Sequence, residues 1–287
     1  MVFLPYPYKP PYVCSMQSGK LKTHLKTDIV ISGAGPAGLT LSALLGLAGF
    51  DVVLVDAEAP KPQAANAPLS GRTAALLNGS VNVLKAAGVW DAVKDISTPL
   101  KIMKIVDDNH ASAALRASVE FRAGDIGEPQ FGYNIPNNDL RAALLARIGK
   151  IKAVTHLAPA KLVDYTADAS GVAAVTEDGT QIQARLIIGT DGRQSIVRKA
   201  AGIDAKIHDY DQRAITCLIE HSKSHNFTST EFRRAGGPFT FVPMPGNQSS
   251  IVWVEKTADA QKYLAMKRDE FEKALQDRTN GYVGNVK

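Results

Sequence analysis

The chain has 287 residues, 45% of them hydrophobic and 21% charged, with a net charge of +5. That length supplies one or two domains with ample apolar core, and the composition is that of a globular protein rather than a fibrous or disordered one. The basic balance is too mild, and too free of Arg/Lys blocks with interleaved aromatics, to indicate a nucleic-acid partner, and no apolar run reaches transmembrane length.

Two cysteines, Cys14 and Cys217, form neither a metal spacing nor a disulfide framework, which points to a reducing, cytoplasmic compartment. The six histidines make no ligand pattern and read mostly as surface residues.

Residues 1–27 hold four lysines, no acid and an early crowd of prolines. They read as a flexible N-terminal arm without the apolar core of a signal peptide, and Met16 is an alternative start.

The chain is organised around the next stretch, Asp28 to Asp56. A short apolar run, Ile29-Val30-Ile31, leads into Gly33, Gly35 and Gly38 at the spacing G-x-G-x-x-G, with Pro36 and Ala37 completing the turn. Leu39, Leu41, Leu44, Leu45 and Leu47 carry a helix to Gly49, and Val52-Val53-Leu54-Val55 ends in Asp56. Strand, glycine turn, helix, strand and acid together make a βαβ unit that suits a dinucleotide. The first glycine permits the tight turn, the second lets a pyrophosphate approach the backbone, and the third lets helix and sheet pack closely. The helix N-terminus offers free N–H groups to phosphates, and an acid at this separation suits a ribose hydroxyl.

After a polar loop comes Ser70-Gly71-Arg72-Thr73-Ala74-Ala75-Leu76, expected to precede a helix over 81–87 that Ser80 caps and Gly88 ends. Arg72 reads equally as a phosphate clamp and as an exposed arginine. Strands expected over 101–106 and 119–122 leave the dinucleotide domain as antiparallel sheet. An Asn/Asp cluster that includes Asn137 is expected to cap a helix over 140–148. Asp178-Gly179 is a hairpin turn between strands at 172–176 and 181–188. The second strand runs into Thr190-Asp191-Gly192-Arg193-Gln194-Ser195-Ile196-Val197-Arg198, where Gly192 permits a tight turn, Asp191 accepts donors and Arg198 can pair with it. Further strands are expected at 213–220, 230–234, 238–243 and 250–255, then helical pattern over 259–278. Phe239, Phe241 and Trp253 read either as sheet core or as one wall of an aromatic-substrate pocket.

With these residues in place, the chain resembles the class A flavoprotein monooxygenases and, within them, the polyprenyl-phenol hydroxylases of ubiquinone biosynthesis. The resemblance rests on the Gly33-Gly35-Gly38 unit with Asp56, on S-G-R-T-A-A-L, on G-Y-N-I-P-N-N-D-L and on T-D-G-R-Q-S-I-V-R, in that order. It implies an α/β fold with α+β insertions: a Rossmann-like FAD-binding domain (28–100 and 131–204) and an antiparallel-sheet substrate domain (101–130 and 205–287), of the p-hydroxybenzoate-hydroxylase type.

The same resemblance implies FAD on Gly33, Gly35, Pro36, Ala37 and Gly38, with Asp56 on the adenosine ribose. It puts Arg72 near the pyrophosphate, Asn137 at the flavin nucleotide, and Asp191 with Gly192 at FAD and NAD(P)H. The implied reaction is NAD(P)H- and O2-dependent hydroxylation of a polyprenyl phenol by the cofactor, with no catalytic side chain required. It also implies peripheral contact with the inner membrane and a place in a biosynthetic complex or homo-oligomer. The family carries a Gly-Asp-Ala-Ala-His-like motif further on, and the Gly-Asp of this chain, Gly124-Asp125, stands in a different context. The last part of the FAD domain is therefore expected to be missing, and flavin affinity to be weak or absent. The alternatives are a prenyl reductase of the same fold and a non-catalytic scaffold fragment. A halogenase would show its own lysine and tryptophan motifs, and an NAD dehydrogenase an uninterrupted βαβ array.

Overall fold

The computed structural model describes residues 23–60, 72–109, 117–279 and 281–287. The arm up to residue 22 and the Ser70-Gly71 pair lie outside them.

In chain order the first unit is β1 (His24–Lys26), β2 (Ile29–Ser32), α1 (Pro36–Leu47) and β3 (Val52–Val55). Next come β4 (Thr73–Leu77), α2 (Asn78–Ala86), α3 (Trp90–Val93), β5 (Thr98–Leu100), β6 (Ile102–Asp107) and β7 (Ser118–Arg122). The chain continues through β8 (Gly132–Pro136), α4 (Asn137–Ile148), β9 (Val154–Leu157), β10 (Leu162–Asp168), β11 (Gly171–Thr176), β12 (Gln181–Ala184), β13 (Leu186–Gly189) and α5 (Ile196–Ala200). It ends with β14 (Gln212–Glu220), β15 (Thr228–Arg233), β16 (Phe239–Met244), β17 (Gln248–Lys256), α6 (Thr257–Leu264) and α7 (Arg268–Thr279).

The expected α/β architecture is present. Its centre is a four-stranded parallel sheet in the order β13-β2-β3-β9. Both faces are covered, which is why its strands read as unbroken apolar runs. Ile29, Ile31, Val52 and Leu54 pack with Leu39 and Ala43 of α1 and with Leu140, Leu144 and Ile148 of α4. Val30, Val53 and Val55 point the other way, against Leu162, Val172, Ile182 and Val197. Those residues belong to a second sheet, β1-β12-β11-β10, and to α5. Each such buried aliphatic side chain contributes about 1.5–3 kcal/mol.

Several expectations are corrected here. The arm does not extend to residue 27, because His24–Lys26 is a strand in parallel register with Gln181–Gln183. The strand expected over 181–188 is two strands in two sheets. The change falls at Arg185, where the N–H groups of Arg185 and Leu186 both donate to Asp28 O, at 2.9 and 3.2 Å. β1 and β2 change sheet at the same level, so the two parallel segments cross together.

Arg72 leads into a strand, not a helix, and the following helix begins at Asn78, with Ser80 inside it. α4 begins at Asn137 itself, without a side-chain cap. The terminal helical stretch is two helices, α6 and α7.

The second body is a six-stranded sheet, β14-β17-β16-β15-β6-β7, antiparallel except where β6 and β15 run parallel. One face packs on α6 and α7 through Ile215, Phe232, Phe239, Phe241, Ile251, Trp253, Ala260 and Leu275. Phe239, Phe241 and Trp253 are therefore core, at most 1% exposed, and the pocket-wall alternative for them is excluded. Directly paired residues share a face, so Thr216, Val252 and Thr240, and beside them Leu218, Ser250 and Val242, line the opposite surface. A three-stranded sheet, β4-β8-β5, joins the two bodies. Its buried Asn134 donates from Nδ2 to Pro243 O at 2.9 Å.

Candidate functional site: the glycine turn and the loop beneath it

β2 delivers the chain to Gly33, whose φ of +104° is a conformation that favours glycine. Its N–H donates to Val55 O at 2.7 Å, holding the turn to the neighbouring strand. The underside of the turn is the loop after β13. A Cβ on Gly33 would stand 2.6 Å from Thr190 O, and one on Gly38 would stand 1.9 Å from Gly33 O and 2.5 Å from Thr190 Oγ1. Thr190 Oγ1 lies 2.8 Å from Ser32 O and 2.7 Å from Gly33 O, and the Thr190 N–H donates to Ser32 O at 2.8 Å. The second motif is thus bonded to the first, and the two expected motifs form one structure.

Gly35 differs. Its φ of −71° suits any residue, and a Cβ there would meet nothing within 4 Å. It faces a cavity of about 710 Å³ that Ser32, Gly33, Ala34, Asp56, Arg141 and Asp191 also line. The start of α1 opens onto this space, where unpaired N–H groups favour an anion. The fit to the adenosine-diphosphate half of a dinucleotide is therefore steric as well as electrostatic. The glycines at 33 and 38 are closed by protein, while the one at 35 leaves room.

Asp56 stands at the rim, one oxygen accepting from Ala34 N–H at 2.5 Å and the other from Glu58 N–H at 2.8 Å. Each carboxylate oxygen has a second lone pair, so sugar hydroxyls can still donate to it. Asp191 is turned inward. One oxygen accepts from Ile196 N–H at 2.8 Å and Val197 N–H at 3.3 Å, capping α5, and approaches Ser32 Oγ at 3.5 Å. Its other oxygen is buried without a hydrogen-bond partner. Arg198 does not pair with Asp191. Its Nη1 donates to Arg193 O at 2.9 Å. Gly192 has a φ of +81°, as a tight turn requires.

Arg72 and Asn137 meet each other at the end of the β4–β8 ladder, where Asn137 N–H donates to Arg72 O at 3.1 Å. Neither lines the cavity at the glycine turn. Arg141 does, and sequence reasoning missed it. Its Nε donates to Ala34 O at 3.4 Å. The available signal was its i, i+4 spacing from Asn137, which puts both on one side of α4. His156 on β9 was also missed. Burial holds its pKa below the ordinary value, opposed by the Asp56 carboxylate and reinforced by Arg141, and its Nε2 is buried without a partner.

His221, expected at the surface, is 6% exposed, with Nδ1 on Lys223 O at 2.8 Å and Nε2 on Ser249 Oγ at 2.9 Å. Burial pushes the Cys217 thiol up to about 11, so it stays protonated at neutral pH.

Residues 26–285 match the model of a family described as FAD binding domain. The chain is 35% identical over 260 residues to ubiquinone hydroxylase UbiL of Rhodospirillum rubrum, covering 91% of this chain and 59% of that protein. It is 26% identical over 265 residues to ubiquinone hydroxylase UbiM of Neisseria meningitidis, covering 91% and 57%. The chain thus spans a little under three fifths of the length of these two relatives. Among solved structures, Pseudomonas aeruginosa PqsL in complex with 2-aminobenzoylacetate superposes with a TM-score of 0.72 at 21% identity, covering 91% of this chain and 72% of that one. This last likeness concerns the fold alone.

Proposed function

The chain belongs to the FAD-binding-domain family, and from that premise we propose that it forms the dinucleotide and ring-binding part of an NAD(P)H- and O2-dependent hydroxylase acting on a polyprenyl phenol in ubiquinone biosynthesis. The observation that carries the reading is the convergence of the glycine turn, Asp56 and the Asp191 loop on one cavity that Gly35 leaves open. The sequence likeness to two ubiquinone hydroxylases supports the substrate class.

In this reading Gly33, Gly35, Pro36, Ala37 and Gly38 present the N-terminus of α1 to the pyrophosphate, and Asp56 accepts from the adenosine ribose. Arg72 and Asn137, held together at the end of their ladder, serve the flavin side. Asp191 and Gly192 shape the floor, Asp191 by capping α5. FAD, when bound, supplies the electron transfer and oxygen activation. The protein's part is to hold the phenol beside it and keep water out.

The surface of the six-stranded sheet away from α6 and α7 suits that part. It carries Leu218 and Val252 with the hydroxyls of Thr216 and Thr240, none of them charged, while Val242 and Ser250 beside them are buried. Among the described residues no helix is long and apolar enough to cross a membrane. A polyprenyl tail partitions into lipid, so we place the protein peripherally at the membrane that holds its substrate.

The test is calorimetric titration of the chain with FAD and with ADP, followed by a flavin spectrum under NADPH. Saturable FAD binding that ADP competes away, with bleaching on NADPH addition, is expected. Failure of both ligands to bind at millimolar concentration would overturn the reading.

A further inference from the structure

Arg141 stands one turn into α4, half-buried, at the wall of the cavity that the glycine turn faces. Its Nε is directed to Ala34 O at 3.4 Å, which leaves both terminal nitrogens of the guanidinium for other acceptors. Among the described residues no carboxylate pairs with it. Other arginines of the fold are neutralised: Arg234 by Asp108, Arg278 by Glu255, Arg268 by Glu272. Asp56 lines the same cavity but forms no ion pair with Arg141, its oxygens accepting instead from the Ala34 and Glu58 N–H groups. A partly desolvated cation without a counter-charge is unfavourable unless something anionic arrives to meet it. The N-terminus of α1, across Gly35, favours the same kind of ligand.

We propose that Arg141 is a phosphate-binding residue, donating from α4 to the diphosphate of the bound adenine dinucleotide beside the start of α1. This rests on the dinucleotide reading above and adds to it. Sequence resemblance pointed to Arg72 as the cation near the pyrophosphate, whereas the arginine that reaches this cavity is Arg141.

The experiment uses the whole chain and two probes, ADP and adenosine, titrated by ligand-detected NMR, with Arg141→Met, Arg141→Lys and Arg141→Gln beside the unaltered protein. Loss of a charge-assisted bond pair to phosphate should weaken ADP about 10- to 100-fold in Arg141→Met while adenosine changes less than about 2-fold. Arg141→Lys should recover part of the loss. Arg141→Gln keeps a donor for Ala34 O and carries the comparison if Arg141→Met melts early. Equal ADP affinity in the variants and the unaltered protein would overturn the assignment and leave the dinucleotide reading intact. So would a parallel loss of ADP and adenosine, which marks a structural role. If the unaltered protein binds neither probe, it is the dinucleotide reading that fails, and this assignment with it.

Discussion

Replacing Gly35 and Gly38 separately by alanine should split folding from binding. At Gly38 the added methyl would lie 1.9 Å from Gly33 O and 2.5 Å from Thr190 Oγ1, both far inside contact distance. Neither neighbour can retreat without lengthening the 2.7 Å bond between Thr190 Oγ1 and Gly33 O. Overpacking of this kind costs about 1–3 kcal/mol, and a weakened hydrogen bond about 1 more. At roughly 2–4 °C per kcal/mol for a chain of this size, Gly38→Ala should melt about 5–15 °C lower.

At Gly35 the methyl meets nothing and φ is already ordinary, so stability should stay within about 1 kcal/mol. The methyl would instead occupy the space through which phosphates reach the amides. Displacing them should cost ADP affinity about 100-fold, the worth of one or two charge-assisted bonds. Thermal melts by circular dichroism and ADP titration measure the two effects. A Gly35→Ala protein that binds ADP normally, or that melts as low as Gly38→Ala, would refute the reasoning.

Thr190→Val should lower stability by about 1–2 kcal/mol in urea, because the one hydroxyl proton shared between Ser32 O and Gly33 O is lost, while Thr190→Ser should keep most of it; equal losses would remove the hydroxyl from the account. Trp253→Ala should cost about 3–5 kcal/mol and Val252→Ala, on the opposite face of the same strand, clearly less, as measured by denaturant midpoints. Comparable losses would mean that the sheet buries both faces alike.

Acid should destabilise the fold through His221. Burial holds its pKa below the ordinary value, the Lys223 carbonyl opposing and His225 reinforcing the effect. The unfolded chain takes up the proton first, near pH 6.5. The contribution is therefore complete above that value and is lost as pH falls through the depressed folded one. The drop in urea midpoint between about pH 7.5 and about pH 5 should be smaller in His221→Gln than in the unaltered protein, and an equal drop would sink the assignment.

The glycine unit was legible because its sequence signature is local, although the Thr190 contacts that close it from below come from far along the chain. Its spacing, the apolar runs and the terminal acid all sit within one βαβ repeat. Arg141 was only half legible: its spacing from Asn137 puts both on one side of α4, but what that side meets depends on how α4 lies against α1. The facing of Phe239 and Trp253 was equally hidden. Alternation divides a strand into two sides, but which side receives α6 and α7 is settled only when those helices dock. The break at Arg185 was missed for a related reason. Nothing in the residue pattern from 181 to 188 marks a turn there, and only the partner strand changes. His221 looked like a surface residue until the bonds to Lys223 O and Ser249 gave its ring polar partners inside the protein.

Thr190 is bonded to Gly33 across 157 positions of sequence. The binding turn is therefore a late product of synthesis. Its opening strand and helix leave the ribosome early, but the piece that braces them from below follows 157 positions later. Until then the amides have the right order and no fixed aim. A cell that exposes the first third alone would hold the motif without the receptor.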